Sequence, residues 1–186
     1  MKFLVNRAEK LPPSSPTTNL LRSLLGGTLA ILVLEMLSQY TATHLIMAPF
    51  GATCVLLFAV STSPLAQPRN VILGHFISAF VGLLFLNLFG ISMFTTALAV
   101  GVAIGLMQWL RCVHPPAGAN PLVILLTANQ VSYDWGFLLF PVLAGSISLV
   151  MIALVVNNIK APVKWPNYWF ALIRTYAKSI KFCESG

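Results

Sequence analysis

Charge is what this sequence has least of. Only 8% of its 186 residues are Asp, Glu, Lys or Arg, while 58% are hydrophobic and the mean hydropathy is +0.86. Soluble domains carry about a quarter charged residues, so a water-facing surface cannot be assembled from this chain. Between Ser23 and Ile159 the formal charges are Glu35, Arg69, Arg111 and Asp134 alone, and Asn70 to Leu110 has none. The chain therefore reads as an integral membrane protein, which excludes a soluble enzyme or soluble binding module.

Cysteine is also scarce. Cys54, Cys112 and Cys183 are odd in number and far apart, which excludes a disulfide framework and a CxxC metal pair. His44, His75 and His114 lack the i,i+3 or i,i+4 spacing and the accompanying carboxylate of a metal motif, so no metal or other cofactor is expected. The first twenty residues contain no continuous apolar run, and no cleaved secretory signal is expected there.

The net charge of +7 does not point to nucleic acid. Lys2, Arg7, Lys10 and Arg22 precede the first apolar run, and Lys160, Lys164, Arg174, Lys178 and Lys181 follow the last. Basic flanks around an uncharged middle mark cytoplasmic termini under the positive-inside rule. A nucleic-acid reader would interleave basic and aromatic residues on one face.

What is present is a series of six apolar segments, near residues 22–40, 45–60, 71–89, 91–110, 116–128 and 135–156. They predict an all-α polytopic bundle with a basic tail at 1–20, a transmembrane domain at 21–160 and a basic C-terminal segment at 161–186. Segments two and five are shorter than the roughly 20 residues a straight crossing needs. If all six segments cross, every Lys and Arg falls on one side, with both termini cytoplasmic and Asp134 outside. If two and five loop back instead, Arg69 and Arg111 fall on the far side, so six crossings fit the charges better.

Pro49-Phe50-Gly51-Ala52-Thr53 echoes Pro116-Ala117-Gly118-Ala119-Asn120 at an offset of 67 residues, and an aliphatic run follows each block. Each lies in the middle member of a three-segment group. This predicts inverted repeats, about 21–89 and 90–157, built around interrupted helices. Thr53 and Asn120 are favoured N-cap residues and Pro121 suits a first helical position. Helices starting there would run only about 13 Å at ~1.5 Å per residue, beginning near the membrane centre. Unpaired N–H groups cannot be left bare in hydrocarbon, so two facing helix starts would form an anion site with close approach at Gly51 and Gly118. Ala52, Thr53, Ala119 and Asn120 complete its walls. The competing reading is that Pro and Gly merely kink two packed helices.

Arg111-Cys112-Val113-His114-Pro115-Pro116-Ala117-Gly118-Ala119 carries a His-Pro-Pro signature, and Pro49-Phe50-Gly51-Ala52, Ser63 to Asn70 and Gly74-His75 follow a matching order. Over about residues 48–128 the sequence resembles the HPP family of small integral membrane proteins. Asn120-Pro121 departs from the more usual small-residue continuation after Ala119. The resemblance implies a four-helix membrane domain. Through plant and cyanobacterial members it also implies nitrite transport, here across a cyanobacterial plasma membrane. Nitrite is a small planar monoanion that needs donors and positive potential. Arg69 and Arg111 are the cations nearest the membrane interior, placed to draw an anion in or simply to anchor the cytoplasmic face.

His114 is open to three roles: anion donor, proton carrier or cap of segment four. His75 suits a hydrogen bond to a neighbouring helix, or proton coupling. Glu35, an acid within a span, is either a proton relay or a paired structural group. The small residues Gly74, Ser78 and Gly82, and Gly101 with Gly105, predict close helix contact within or between protomers, and a homo-oligomer is expected. Trp165, Trp169, Leu172, Ile173, Tyr176 and Ile180 share one helical face, with Arg174, Lys178 and Lys181 on another. That pattern predicts an amphipathic helix on anionic lipid at the cytoplasmic surface. Transport of a small inorganic monoanion is the leading function. A non-transporting assembly subunit is the alternative. A membrane enzyme is disfavoured, since no nucleophile–base or metal motif occurs.

Overall fold

The structure, a computed structural model, describes residues 13–41, 46–159, 161 and 163–167. All regular elements there are helical. Helix α1 spans Thr17–Thr41, α2 Ala48–Cys54, α3 Pro68–Phe89, α4 Met93–Trp109, α5 Asn120–Thr127 and α6 Ala144–Val156. Several continue into tighter or looser turns. A π turn, Val55–Ala59, extends α2, and a 3-10 turn, Pro115–Ala119, leads into α5. Trp135–Leu138 and Leu139–Leu143 lead into α6. The six apolar segments thus all form helix.

Three of them, Thr17–Tyr40, Pro68–Phe89 and Trp135–Val156, are long and apolar enough to cross a membrane. Segment four is shorter than expected. Ser92 accepts the Thr95 N–H and starts α4 at Met93, leaving 17 residues. Segment six bends at Phe140, whose extended backbone (φ −131°, ψ 116°) precedes Pro141. A residue before proline is driven out of the helical region, and proline supplies no N–H to continue the ladder.

The chain order of contacts is simple. Helix α3 lies against α4 and α5, and α1 against α6 and the π turn after α2. Phe50, Leu34, Leu57, Leu83, Ile124 and Leu149 are fully buried in this interior. Among lipids, burial of apolar groups gives little drive for helix association, and close packing and hydrogen bonds take over. The π turn after α2 illustrates this. Its last carbonyls have no helical partner, and two are met from outside: Ser23 donates to the Phe58 oxygen at 2.8 Å, and Asn157 to the Leu57 oxygen at 2.9 Å. Gly26 makes room here, because a methyl group on it would run into the Phe58 ring, which would have to shift.

The arginines of the described residues collect at one end. Arg22 reaches the Ile159 oxygen at 3.3 Å, joining the start of α1 to the end of α6. Arg69 donates to the Leu110 oxygen at 2.6 Å and to the Arg111 oxygen. Gln67, just before α3, accepts the Asn167 N–H at 2.9 Å, which brings the two groups together. Lys164 caps the same end of α6 on the Asn158 oxygen at 3.1 Å. Asp134 starts segment six at its opposite end, accepting the Phe137 N–H. Basic groups thus gather at one end of the bundle, and Asp134 lies at the other.

Trp165 departs from expectation. Instead of lying on an amphipathic surface helix it is buried, its N–H held by Asn158 Oδ1 at 3.0 Å and its oxygen by Asn158 Nδ2 at 2.6 Å. Residues 163–167 are not helical, because these side-chain bonds take the backbone groups a helix would use. The rest of that expected helix, with Trp169, Leu172, Ile173, Arg174, Tyr176, Lys178, Ile180 and Lys181, lies outside the described residues. So do the first twelve residues, His44, Lys160 and Cys183.

Candidate functional site

The two short helices do not start where N-cap chemistry pointed. Helix α2 begins at Ala48, with Met47 in the N-cap position, and Thr53 sits inside its last turn. Helix α5 has Ala119 in the N-cap position, and the chain is already in a 3-10 turn from Pro115. In both places a proline lies within the first two helical positions, where its fixed φ suits the first turn and its missing N–H leaves nothing unpaired. Thr53 and Asn120 are thereby released from capping, and both side chains turn inward.

There they meet the histidines. His75, from α3, and His114, from the turn ahead of Pro115, are fully buried, as are Thr53 and Asn120. Thr53 Oγ1 lies 2.8 Å from His75 Nε2, 3.0 Å from His114 Nε2 and 3.1 Å from the Pro49 oxygen. His114 Nδ1 is 2.8 Å from the Leu65 oxygen. Asn120 Nδ2 lies 3.0 Å from the His75 oxygen and 3.2 Å from His75 Nδ1. The imidazole centroids are 5.1 Å apart, and Phe50 closes the other edge of His75 at 5.0 Å. His75 thus makes the bonds to neighbouring segments that its place in a span suggested. His114 bonds Leu65 and does not cap α4.

Small residues make this convergence sterically feasible. Gly74, Ser78 and Gly82 form one stripe of α3, and segment five lies along it. A methyl group on Gly74 would be 2.7 Å from His114 Cβ, and one on Gly82 would be 3.0 Å from Pro121 Cα. Ser78 donates to the Ala117 oxygen, and Asn70 to the Val113 oxygen at 2.8 Å. Each bond removes a bare carbonyl from the membrane interior. Leu65, Pro49, Asn70 and the role of Ser78 as donor were not foreseen. The four-residue spacing from Gly74 was the available signal for the last.

The other expected site residues are distributed differently. Ala52 and Ala119 line an apolar groove of about 830 Å³ between the second and fifth segments, with Pro49, Pro115 and Leu122 among its walls. Gly51 is exposed and Gly118 half-buried; neither has an atom within 4 Å of where a Cβ would be. They leave backbone open to approach but do not belong to the buried cluster. Arg69 is occupied by two backbone carbonyls. Arg111 is exposed, in the left-handed region at φ 54°, and contributes its carbonyl to Arg69. Glu35 is exposed on α1, its Oε1 3.3 Å from Gln39 Nε2, well apart in sequence and packing from the histidines. Gly101 and Gly105 face open space and make no close contact within the chain. No group of three His, Cys, Asp or Glu side chains able to hold a metal occurs among the described residues.

A helical bundle of apolar segments with its polar groups turned inward defines a polytopic membrane protein. Comparison with known proteins makes this specific. The family profile described as "HPP, transmembrane region" matches residues 12–166. Two transmembrane proteins of Dictyostelium discoideum are each 35% identical, over 181 and 174 residues, covering 91% and 87% of this chain. The chain spans 62% and 55% of the length of these relatives. No solved structure matches it. The chain belongs to the HPP transmembrane family.

Proposed function

We infer that this protein moves a small inorganic monoanion, nitrite foremost, across the membrane between its two short helices, and that it is not an enzyme. The observation that carries this is the convergence of His75 and His114 on the Thr53 hydroxyl, fully buried within a membrane bundle. Polar and ionisable side chains are costly at membrane depth and concentrate on substrate pathways. The acids among the described residues, Glu35 and Asp134, are exposed and stand away from this cluster. Imidazoles that can take up a proton, with no carboxylate beside them, can present donors and positive charge to an anion and add no fixed negative charge. The groove beside it is apolar, so recognition falls to the side chains behind Pro49 and Pro116.

Several features support the wider scheme. The contacts α1 with α6 and α3 with α4 are those that an inverted pair of three-segment repeats would exchange. Arg22, Arg69, Arg111 and Lys164 favour their shared end as the cytoplasmic one, where they raise the local concentration of anions. Gly101 and Gly105, exposed on α4, suit contact with a second copy. The basic sequence after residue 167 suits anionic lipid.

The test is flux of nitrite, nitrate and chloride into vesicles holding the purified protein, with Arg111→Ala, His114→Ala and Gly118→Leu beside the wild type. Nitrite entry well above protein-free vesicles, cut at least tenfold by His114→Ala, is the expected result. Entry no faster than in protein-free vesicles, with folded protein present, refutes transport.

A further inference from the structure

The hydrogens around Thr53 can be assigned one at a time, because each end of the network is a group with a single role. The Leu65 carbonyl only accepts, so His114 Nδ1 carries a hydrogen. The His75 carbonyl also only accepts, so the Asn120 atom facing it is the amide nitrogen. The second hydrogen of that nitrogen is directed to His75 Nδ1, which must then be bare, leaving the hydrogen of neutral His75 on Nε2. His75 Nε2 therefore donates to Thr53 Oγ1.

That leaves one hydroxyl hydrogen and two acceptors for it. With His114 neutral, its Nε2 is bare and takes the Thr53 hydrogen at 3.0 Å. With His114 protonated, Nε2 becomes a donor to Oγ1, and the hydroxyl hydrogen swings to the Pro49 oxygen at 3.1 Å. Both arrangements satisfy the two imidazoles and the Thr53 hydroxyl without moving a heavy atom, and neither changes the surroundings of Asn120 Oδ1, which is buried without a hydrogen-bond partner. A proton on His75 has no such arrangement, because Nδ1 would then point its hydrogen at the Asn120 amide hydrogens.

The surroundings decide what the extra charge requires. Helix α2 brings Cys54 towards this region, α3 brings Arg69 and His75, and the turn itself brings Arg111 and Cys112; α4 and α5 carry no titratable side chain. Among the described residues no carboxylate faces His114. A buried imidazolium without a counter-charge is strongly disfavoured, so the site binds a proton well only when an anion arrives with it. By reciprocity the proton strengthens anion binding by the same factor.

We propose that His75, Thr53, His114 and the Pro49 carbonyl form a one-proton site, with His114 Nε2 as the acceptor and the Thr53 hydroxyl as the rotor, and that its proton is taken up together with one monoanion. The net charge entering the bundle is then zero, as proton and anion cancel. The anion half rests on the transport proposal above; the proton half stands on the geometry of the cluster.

The experiment is a nitrogen-15 magnetic resonance titration of histidine-labelled full-length protein in lipid, with and without saturating sodium nitrite, beside nitrite-linked proton uptake in vesicles. The spectra should contain a His114 that keeps its Nδ1 hydrogen at every pH and a His75 that keeps only its Nε2 hydrogen. One proton per chain should appear on His114 Nε2, and nitrite should move that titration up by at least one pH unit. Thr53→Ser should keep uptake within threefold of wild type, at one proton per nitrite and independent of a clamped voltage. Thr53→Val should cut it at least tenfold. If Thr53→Val fails to fold, the wild-type spectra and Thr53→Ser still decide. A second proton on His75, or a bare His114 Nδ1, overturns the proton site. If nitrite crosses while the His114 titration stays unmoved, transport stands and the coupling is overturned. If the one-proton pattern is present but nitrite does not cross, the anion half falls alone.

Discussion

Replacing Gly74 by alanine would test whether the α3 stripe holds His114 in place. The added methyl carbon would lie 2.7 Å from His114 Cβ, 3.2 Å from the Cys112 oxygen and 3.6 Å from Ala117 Cβ. Carbon atoms pack best about 3.5–4.0 Å apart, so the turn carrying His114 must retreat by roughly an ångström. His114 holds Leu65 at 2.8 Å and Thr53 at 3.0 Å. A retreat of that size takes one or both bonds beyond about 3.5 Å, where they cease to count. Overpacking costs about 1–3 kcal/mol, while alanine gains about 1 kcal/mol over glycine in a helix. The net expectation is a loss of up to about 2 kcal/mol, with the histidine displaced. Gly101→Ala is the matched control, since nothing lies within 4 Å of that site. Thermal unfolding in detergent should place Gly101→Ala slightly above wild type, by the helix gain alone, and Gly74→Ala below both. A Gly74→Ala protein as stable as the Gly101→Ala protein, with an unchanged His114 spectrum, would refute the packing argument.

Three further outcomes follow from named groups. Arg111 holds a left-handed backbone that costs a non-glycine residue about 1–2 kcal/mol, so Arg111→Gly should raise the unfolding temperature while lowering nitrite entry; lower stability would contradict this. Asn157→Ala leaves the Leu57 carbonyl bare in the interior and should cost about 1–3 kcal/mol, read by the same unfolding assay, with no loss as the contrary result. Single cysteines at Thr62 and Gln130 should label from opposite sides of the membrane with an impermeant thiol reagent. Labelling from one side would restore the four-crossing topology.

The segments were legible in the sequence because their apolar runs and breakers are strong local signals. Thr53, His75, His114 and Asn120 were each legible as polar residues at membrane depth, yet their meeting was not. It depends on segment five lying along the Gly74–Ser78–Gly82 stripe, a tertiary contact that no local spacing states. The helix starts were misplaced for a related reason. Thr53 and Asn120 have the chemistry of caps, but the turns that carry Pro49 and Pro115 start earlier and leave both side chains free for the interior. Trp165 was read as a surface residue because its neighbours repeat at helical spacing, while Asn158, seven residues earlier, captures its backbone. The bend at Phe140 was written in Pro141 but masked by the apolar run around it.

The central claim is that one buried proton site serves a transported monoanion. Its most direct test is the initial rate of nitrite entry into vesicles under an imposed pH gradient, acid outside, corrected for protein-free vesicles. Wild type should speed up severalfold with the gradient and take up one proton per nitrite, and His114→Gln should respond to neither. Nitrite entry equal to that of protein-free vesicles, or entry through His114→Gln with the gradient response intact, would contradict it.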